Sequence, residues 1–317
     1  MDARRLGHSD LTVPPLCFGC NIFGWTVDEP TSFRLLDRLL EVGLTFLDTA
    51  DVYSRWAPGH QGGESEIIIG KWMKARRARD RIVLATKVGM DMGDGKVGLK
   101  PDYIARAVED SLRRLGTDRI DLYQSHKDDE ATPQAETLGA FQRLMEAGKV
   151  RVIGASNFSG SRLKEALDLA DSQGLPRYET FQPEYNLYER AGFEGDAAHV
   201  CEAAGVSVIT YFSLAAGFLT GKYRSEADYG KSLRGARSIP KYMTPRGLRI
   251  LAALDEVGAE AKAEPATIAL AWLMAQPTVT SPIASATTPK QIDALVAAAT
   301  LQLSADQMKR LDDASAP

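Results

Sequence analysis

The chain has 317 residues, 44% of them apolar and 25% charged, enough to bury a large core and the usual size of one α/β barrel. With 38 Lys and Arg against 42 Asp and Glu, the formal net charge is -4, and the cations are spread along the chain rather than gathered into the basic stripe that nucleic acid requires. No run approaches the roughly 18 uninterrupted apolar residues of a membrane span, and the N-terminus carries charges without an apolar targeting core.

Residues 4–13, with Gly7 and Ser9-Asp10 as turn residues, read as a short β-hairpin ahead of the first barrel strand, placed to plug the barrel bottom. The first strand follows at residues 16–20 (LCFGC). Its Cys17 and Cys20 have thioredoxin-like spacing but read as core residues of a buried strand. With Cys201 they are too few for a disulfide framework, and no second pair completes a metal site, so no metal is expected and a reducing cytoplasm fits.

Seven further β-rich runs alternate with helix-period stretches. The runs lie at residues 44–50, 81–88, 120–126, 150–158, 180–186, 206–212 and 278–285. Helical periodicity spans 30–42, 101–115, 133–147, 161–173 and 289–299, several of these opened by Pro, which suits a first helical turn. Eight strands with intervening helices imply a parallel sheet. The dinucleotide fingerprint of an open doubly wound sheet, G-x-G-x-x-G, follows none of them, which favours closure into a (β/α)8 TIM barrel occupying residues 1–317 as a single domain. Residues 54–63 and 215–244 form long loops, expected at the functional face.

Active-site groups of an α/β barrel project from the carboxyl ends of the strands. Here strand two ends in Asp48-Thr49-Ala50-Asp51-Val52-Tyr53, strand three in Thr86-Lys87, strand four in Ser125-His126 and strand five in Ser156-Asn157. An acid, a tyrosine, a lysine and a histidine at one mouth form a proton-transfer constellation. An ammonium beside a phenol stabilises the phenolate, so Lys87 is expected to lower the Tyr53 pKa and make it a general acid, with Asp48 holding Lys87 and His126 polarising a carbonyl. Asp51 reads as a turn residue or cap. Phe23, Trp25 and Trp56 fall in the loops after strands one and two and are expected to line a substrate pocket. Trp72 and Trp272 read as core, and the basic run from Lys74 to Arg79 as a solvated helix end.

The run Gly43-Leu-Thr-Phe-Leu-Asp48-Thr-Ala-Asp-Val-Tyr53, with Gly63-Glu-Ser-Glu-Ile-Ile-Ile-Gly70 behind it, resembles a signature of the aldo-keto reductases. Thr86-Lys87, the stretch from Ser111 to His126, that from Gly148 to Asn157, Phe181 to Asn186 and Tyr211 to Lys222 continue the resemblance in order over nearly the whole chain. It implies a carbonyl reductase or alcohol dehydrogenase using NADPH/NADP, with NADH/NAD as the other option, in which hydride passes between the nicotinamide and a carbonyl carbon and Tyr53 handles the proton. By family position Ser156, Asn157 and Gln182 would hold the carboxamide, and Tyr211 would stack under the ring. Ser213, Leu214, Gly217 and Lys222 would wrap the pyrophosphate, and Ser285, Thr287, Thr288, Lys290 and Gln291 would meet the adenosine end, Lys290 being the cation available for a 2′-phosphate.

The chain departs from the family where Leu295 takes the place of a frequent Asn and Phe212-Ser213 that of Ser-Pro. The barrel also resembles the cytoplasmic β subunits of potassium channels, which gives a second reading as a cofactor-sensing regulatory subunit. A third is a lyase with Lys87 as a Schiff-base lysine. The expected partner is a small-molecule carbonyl or alcohol, and the expected assembly a monomer or small homo-oligomer.

Overall fold

The structure, a computed structural model, describes residues 1–232 and 235–317. Strands β1 (Arg4–Arg5) and β2 (Thr12–Val13) pair antiparallel as the expected hairpin. Eight more strands form one parallel sheet: β3 (Cys17–Gly19), β4 (Phe46–Asp48), β5 (Val83–Val88), β6 (Ile120–Ser125), β7 (Val150–Ser156), β8 (Tyr178–Gln182), β9 (Ser207–Val208) and β10 (Ile283–Ala284). Pairing follows chain order from β3 to β9, and β10 returns to lie beside β3. Backbone bonds close the remaining seam: Thr280 N–H donates to Val208 O at 2.8 Å and Ile283 N–H to Thr210 O at 2.8 Å. The sheet is therefore a (β/α)8 barrel.

Helices α1 (Glu29–Val42), α2 (Glu64–Arg76), α3 (Pro101–Leu115), α4 (Gln134–Glu146), α5 (Gly160–Gln173) and α6 (Asp196–Ala204) separate the first strands of the sheet. Their ends follow local chemistry. Asp28 caps α1 by accepting from Thr31 N–H, Pro30 fits its first turn, and Gly43 closes it in the left-handed conformation that glycine adopts without a Cβ clash. After β9 the chain forms short helical turns at Ala215–Thr220, Glu226–Lys231, α7 (Gly235–Ser238) and Pro240–Tyr242, then α8 (Pro245–Ala261), α9 (Pro265–Met274), α10 (Pro289–Ala298) and α11 (Ala305–Ser315). The segment 215–244 was expected as open loop. Burial of Phe218, Tyr223 and Tyr242 instead folds its described part against the barrel, residues 233 and 234 lying outside the described ones.

Strand side chains alternate, and the alternation divides the barrel interior by height. At the lower level Cys17, Phe46, Ala85, Leu122, Val152, Ile209 and Ile283 form one apolar cluster with Leu6, Leu11 and Val13 of the hairpin. The hairpin thus stoppers the bottom. Two residues further along the strands, the inward positions turn polar: Asp48 after Phe46, Lys87 after Ala85, Gln124 after Leu122. An apolar layer thus lies directly below the polar groups of the mouth.

Space in the barrel leaves no room for one more atom at Gly154, where a Cβ would stand 2.1 Å from Thr180 Oγ1. The ladder between β7 and β8 also shifts register between Ile153 and Gly154. Gly154→Ala is expected to overpack the barrel, lowering stability by about 1–3 kcal/mol and the thermal midpoint in circular dichroism accordingly. An unchanged midpoint would show that the barrel yields there.

Candidate active site

Lys87 is the buried centre of the mouth, with no exposed surface. Its Nζ donates to Asp48 Oδ2 at 2.5 Å, to the Thr49 carbonyl at 2.8 Å and to Tyr53 Oη at 3.2 Å, which uses all three of its protons. The pairing register that sets β5 beside both β4 and β6 aims these side chains at one point: Asp48 pairs with Ala85, and Lys87 with Gln124. The other carboxylate oxygen of Asp48 accepts from Gln124 Nε2 and Gln182 Nε2, each at 3.1 Å, and Gln182 Nε2 also reaches Gln124 Oε1 at 3.0 Å. A buried ion pair needs this kind of closure, because charges taken out of water cost several kcal/mol unless their remaining bonds are made.

Burial alone would push the Lys87 ammonium down, but Asp48 and then Tyr53 hold it above its ordinary value, so it stays charged. For Tyr53 the balance runs the other way. Desolvation raises its pKa, the Lys87 charge lowers it by less, and the net shift is upward. This corrects the expectation that Lys87 brings Tyr53 toward neutrality: the phenol is protonated at neutral pH. His126, its ring edge-on to Tyr53 at 5.8 Å between centroids, is pushed well below the usual imidazole value, chiefly by burial and further by Lys87. It is neutral, and its Nδ1 is buried with no hydrogen-bond partner among the described residues.

Tyr53 sits on a turn tied from both sides. Its carbonyl accepts from Gly63 N–H at 2.8 Å, and the Glu64 carboxylate accepts from the N–H groups of Ser54, Gln61 and Gly62. Thr49 Oγ1 donates to Ser65 Oγ, which donates to the Cys20 carbonyl, joining β3, β4 and α2. Buried Glu66 accepts hydrogen bonds from Thr86 Oγ1 and Arg114 Nε, each at 2.6 Å. Cys17 and Cys20 are buried free thiols with pKa raised by burial, as a packed strand requires.

A cavity of about 960 Å³ opens above this group. Asp48, Tyr53 and His126 line its floor, and Ser156, Asn157, Gln182, Tyr211, Ser213, Leu214, Gly217, Lys222, Ser285, Thr287 and Gln291 line the rest together with Trp56. Asn157, in the left-handed region at φ 56° that asparagine tolerates, donates to the His126 carbonyl and accepts from Tyr211 Oη at 2.8 Å. Ser156 Oγ donates to the Gln182 carbonyl. Gly217 has φ 96°, a conformation that glycine adopts without a Cβ clash.

Two expected cofactor residues stand outside the lining: Thr288 caps α10 by accepting from Gln291 N–H, and Lys290 is exposed in the first turn of that helix. Among the aromatics, Phe23 is corrected: it has no exposed surface and packs on Phe18 with centroids 5.9 Å apart. Trp25 packs edge-on against Trp56 at 5.5 Å rather than on the cavity, while Trp72 and Trp272 are core, as expected. Sequence reading missed Asn21, whose amide oxygen accepts from Ser285 Oγ, and Ile22, Thr26, Met90, Lys127 and Lys231 in the lining. It also missed Gln124, although strand alternation puts that residue on the inward face two places before His126.

A closed barrel with an acid, a tyrosine, a lysine and a histidine gathered at its mouth places the chain among α/β barrels with a candidate active site. Comparison narrows this: the model of the Aldo/keto reductase family matches residues 15–316, and the chain belongs to that family of oxidoreductases. It is 35% identical over 99% of its length to an uncharacterised oxidoreductase, YrpG, of Bacillus subtilis, covering 95% of that protein. It is 31% identical to the protein tas of Escherichia coli over 98% of this chain and 97% of the relative. With the aldo-keto reductase yakc [NADP(+)] of Schizosaccharomyces pombe it shares 30% identity over 98% and 90%. Among the described residues no helix is long and apolar enough to cross a membrane, and no group of three His, Cys, Asp or Glu is placed to hold a metal ion.

Asp51 lies in a turn, as one of its two expected readings has it, but among the described residues its carboxyl caps no backbone group. It is 2% exposed, and neither carboxyl oxygen meets a hydrogen-bond donor of good geometry. Burial, with Glu66 adding repulsion, raises its pKa to about 8. The folded state therefore keeps a proton that the unfolded chain releases near pH 4, and stability falls as pH rises from about 4 to about 8, then levels off. Asp51→Asn is expected to match the parent's melting midpoint near pH 4 and exceed it at pH 9. Equal differences at both pH values, measured by scanning calorimetry, would contradict this account of the cluster.

Proposed function

We propose that the protein is a carbonyl reductase and, in reverse, an alcohol dehydrogenase, acting through the four residues Asp48, Tyr53, Lys87 and His126 with NADPH as the preferred cofactor. The observation that carries this reading is the Lys87 ammonium held between Asp48 at 2.5 Å and Tyr53 at 3.2 Å, beside a neutral His126, on the floor of a dinucleotide-sized cavity. The residues fit such a cofactor: Lys222 and Lys231 supply positive charge on the far half of the cavity, and the orphaned Nδ1 of His126 marks the near half as a polar site awaiting a partner. A bound nicotinamide dinucleotide supplies the hydride and takes it back. Tyr53 gives its proton to the carbonyl oxygen as negative charge develops there, and the adjacent Lys87 ammonium stabilises the phenolate left behind. His126 orients that oxygen as a neutral donor. Asp48 keeps Lys87 in place and charged.

Support for NADPH comes from Lys290, an exposed cation in the first turn of α10, and from the relative that carries NADP(+) in its name. Titration with NADPH and NADH, followed by tryptophan emission, should show tighter binding of NADPH, with turnover on a panel of aldehydes and ketones. Binding without turnover would favour the regulatory reading, and no binding would remove both. Tyr53→Phe should lower kcat by about 10³-fold, the scale of a lost general acid, while cofactor affinity holds. Comparable turnover in that variant would contradict the role given to Tyr53.

A further inference from the structure

The cavity is electrically one-sided. Of the described residues that line it, Asp48 is the only acid, and its charge is answered by Lys87, whereas Lys127, Lys222 and Lys231 are cations. Lys231 is paired with Asp228 at 2.7 Å, and Lys222 lies 5.0 Å from the Tyr223 ring centroid. Both follow β9, on the side of the barrel where Ser285 and Gln291 follow β10.

Lys127 stands across the mouth from them. It follows β6, which faces β10 around the closed sheet, and shares its wall with Trp56 after β4 and Met90 after β5. The residue is exposed and directly follows His126, yet among the described residues its ammonium has no ion pair or hydrogen bond. The acids next to it are engaged elsewhere: Asp128 takes two bonds from Arg162 at 2.8 and 3.0 Å, and Asp129 accepts from Leu99 N–H and Thr132 Oγ1. With His126 neutral and Lys87 buried, Lys127 is, among the described residues, the unpaired positive charge at the reacting end.

Resting on the carbonyl-reductase reading, we infer that Lys127 determines substrate specificity by binding an anionic group, and that the preferred substrates are aldehydes or ketones bearing a carboxylate or phosphate beside an apolar body. Trp56, 46% exposed, and Met90 supply the apolar wall for that body. A charge-assisted hydrogen bond to such an anion acts on binding, so the effect falls on KM more than on kcat.

The test compares kcat/KM for two matched pairs, 4-formylbenzoate against 4-formylbenzamide and glycolaldehyde phosphate against glycolaldehyde. The parent enzyme is expected to favour the anion by about tenfold or more in at least one pair, the scale of one hydrogen bond to a charged group. Lys127→Gln should collapse that ratio, Lys127→Glu should invert it and Lys127→Arg should keep it. The pair that responds tells carboxylate from phosphate. An anion-to-neutral ratio that Lys127→Gln leaves unchanged in both pairs overturns the inference while the reductase reading stands. Turnover of none of the four compounds by the parent enzyme removes that reading and the inference with it.

Discussion

The whole site depends on a single ammonium held without water. Lys87 has all three protons committed, to Asp48, to the Thr49 carbonyl and to Tyr53. Removing either charge of the Lys87 and Asp48 pair would strand the other in a barrel sealed from below, a loss of about 3–5 kcal/mol for a broken buried pair. That cost explains the amide groups of Gln124 and Gln182 around Asp48: they complete the bonding of the carboxylate, so that its charge, and hence that of Lys87, persists. Positioning and electrostatics here are one feature, since the bonds that fix Lys87 are those that keep it ionised.

The rest of the fold serves that point. The hairpin and the lower apolar layer exclude water, which strengthens each polar contact above them. Around the rim, Glu64, Ser65 and Glu66, three successive residues at the start of α2, fasten respectively the Tyr53 turn, β4 and the end of β5. One helix N-terminus thereby sets the tyrosine, the aspartate strand and the lysine strand relative to one another. The uncompensated Asp51 beside Glu66 and Arg114 is strain carried within the same support.

Much of this was legible in the sequence because the signals are local. Strand alternation and strand ends brought Asp48, Lys87 and His126 to one face, and Pro and Gly punctuation located α1, α3 and α10 to within a residue or two. Strand lengths were less legible. Residues 206–212 and 278–285 read as full strands, but the ladder keeps only Ser207–Val208 and Ile283–Ala284, and beyond them pairing continues through the single bridges Glu184 to Tyr211 and Val208 to Val279. What could not be read was any balance set by three-dimensional burial. The sequence shows Lys87 and Tyr53 near each other but not that desolvation outweighs the charge on the phenol. It shows Phe23 after a strand end but not which way the loop turns it, and the ring went to the core against Phe18. The turn at Asp51 is local and legible, but its burial beside Glu66 and Arg114 is not, because those residues come from other elements.

The most direct test of the central claim is the pH dependence of kcat for carbonyl reduction and for alcohol oxidation by the same preparation. With Tyr53 as the acid, protonated and raised above its ordinary value, reduction should stay level through neutral pH and decline only above about 10, while oxidation, which needs the phenolate, climbs through that same range. A reduction rate that falls with a midpoint near pH 7 would contradict the account, because it would make an imidazole rather than the lysine-held phenol the source of the proton.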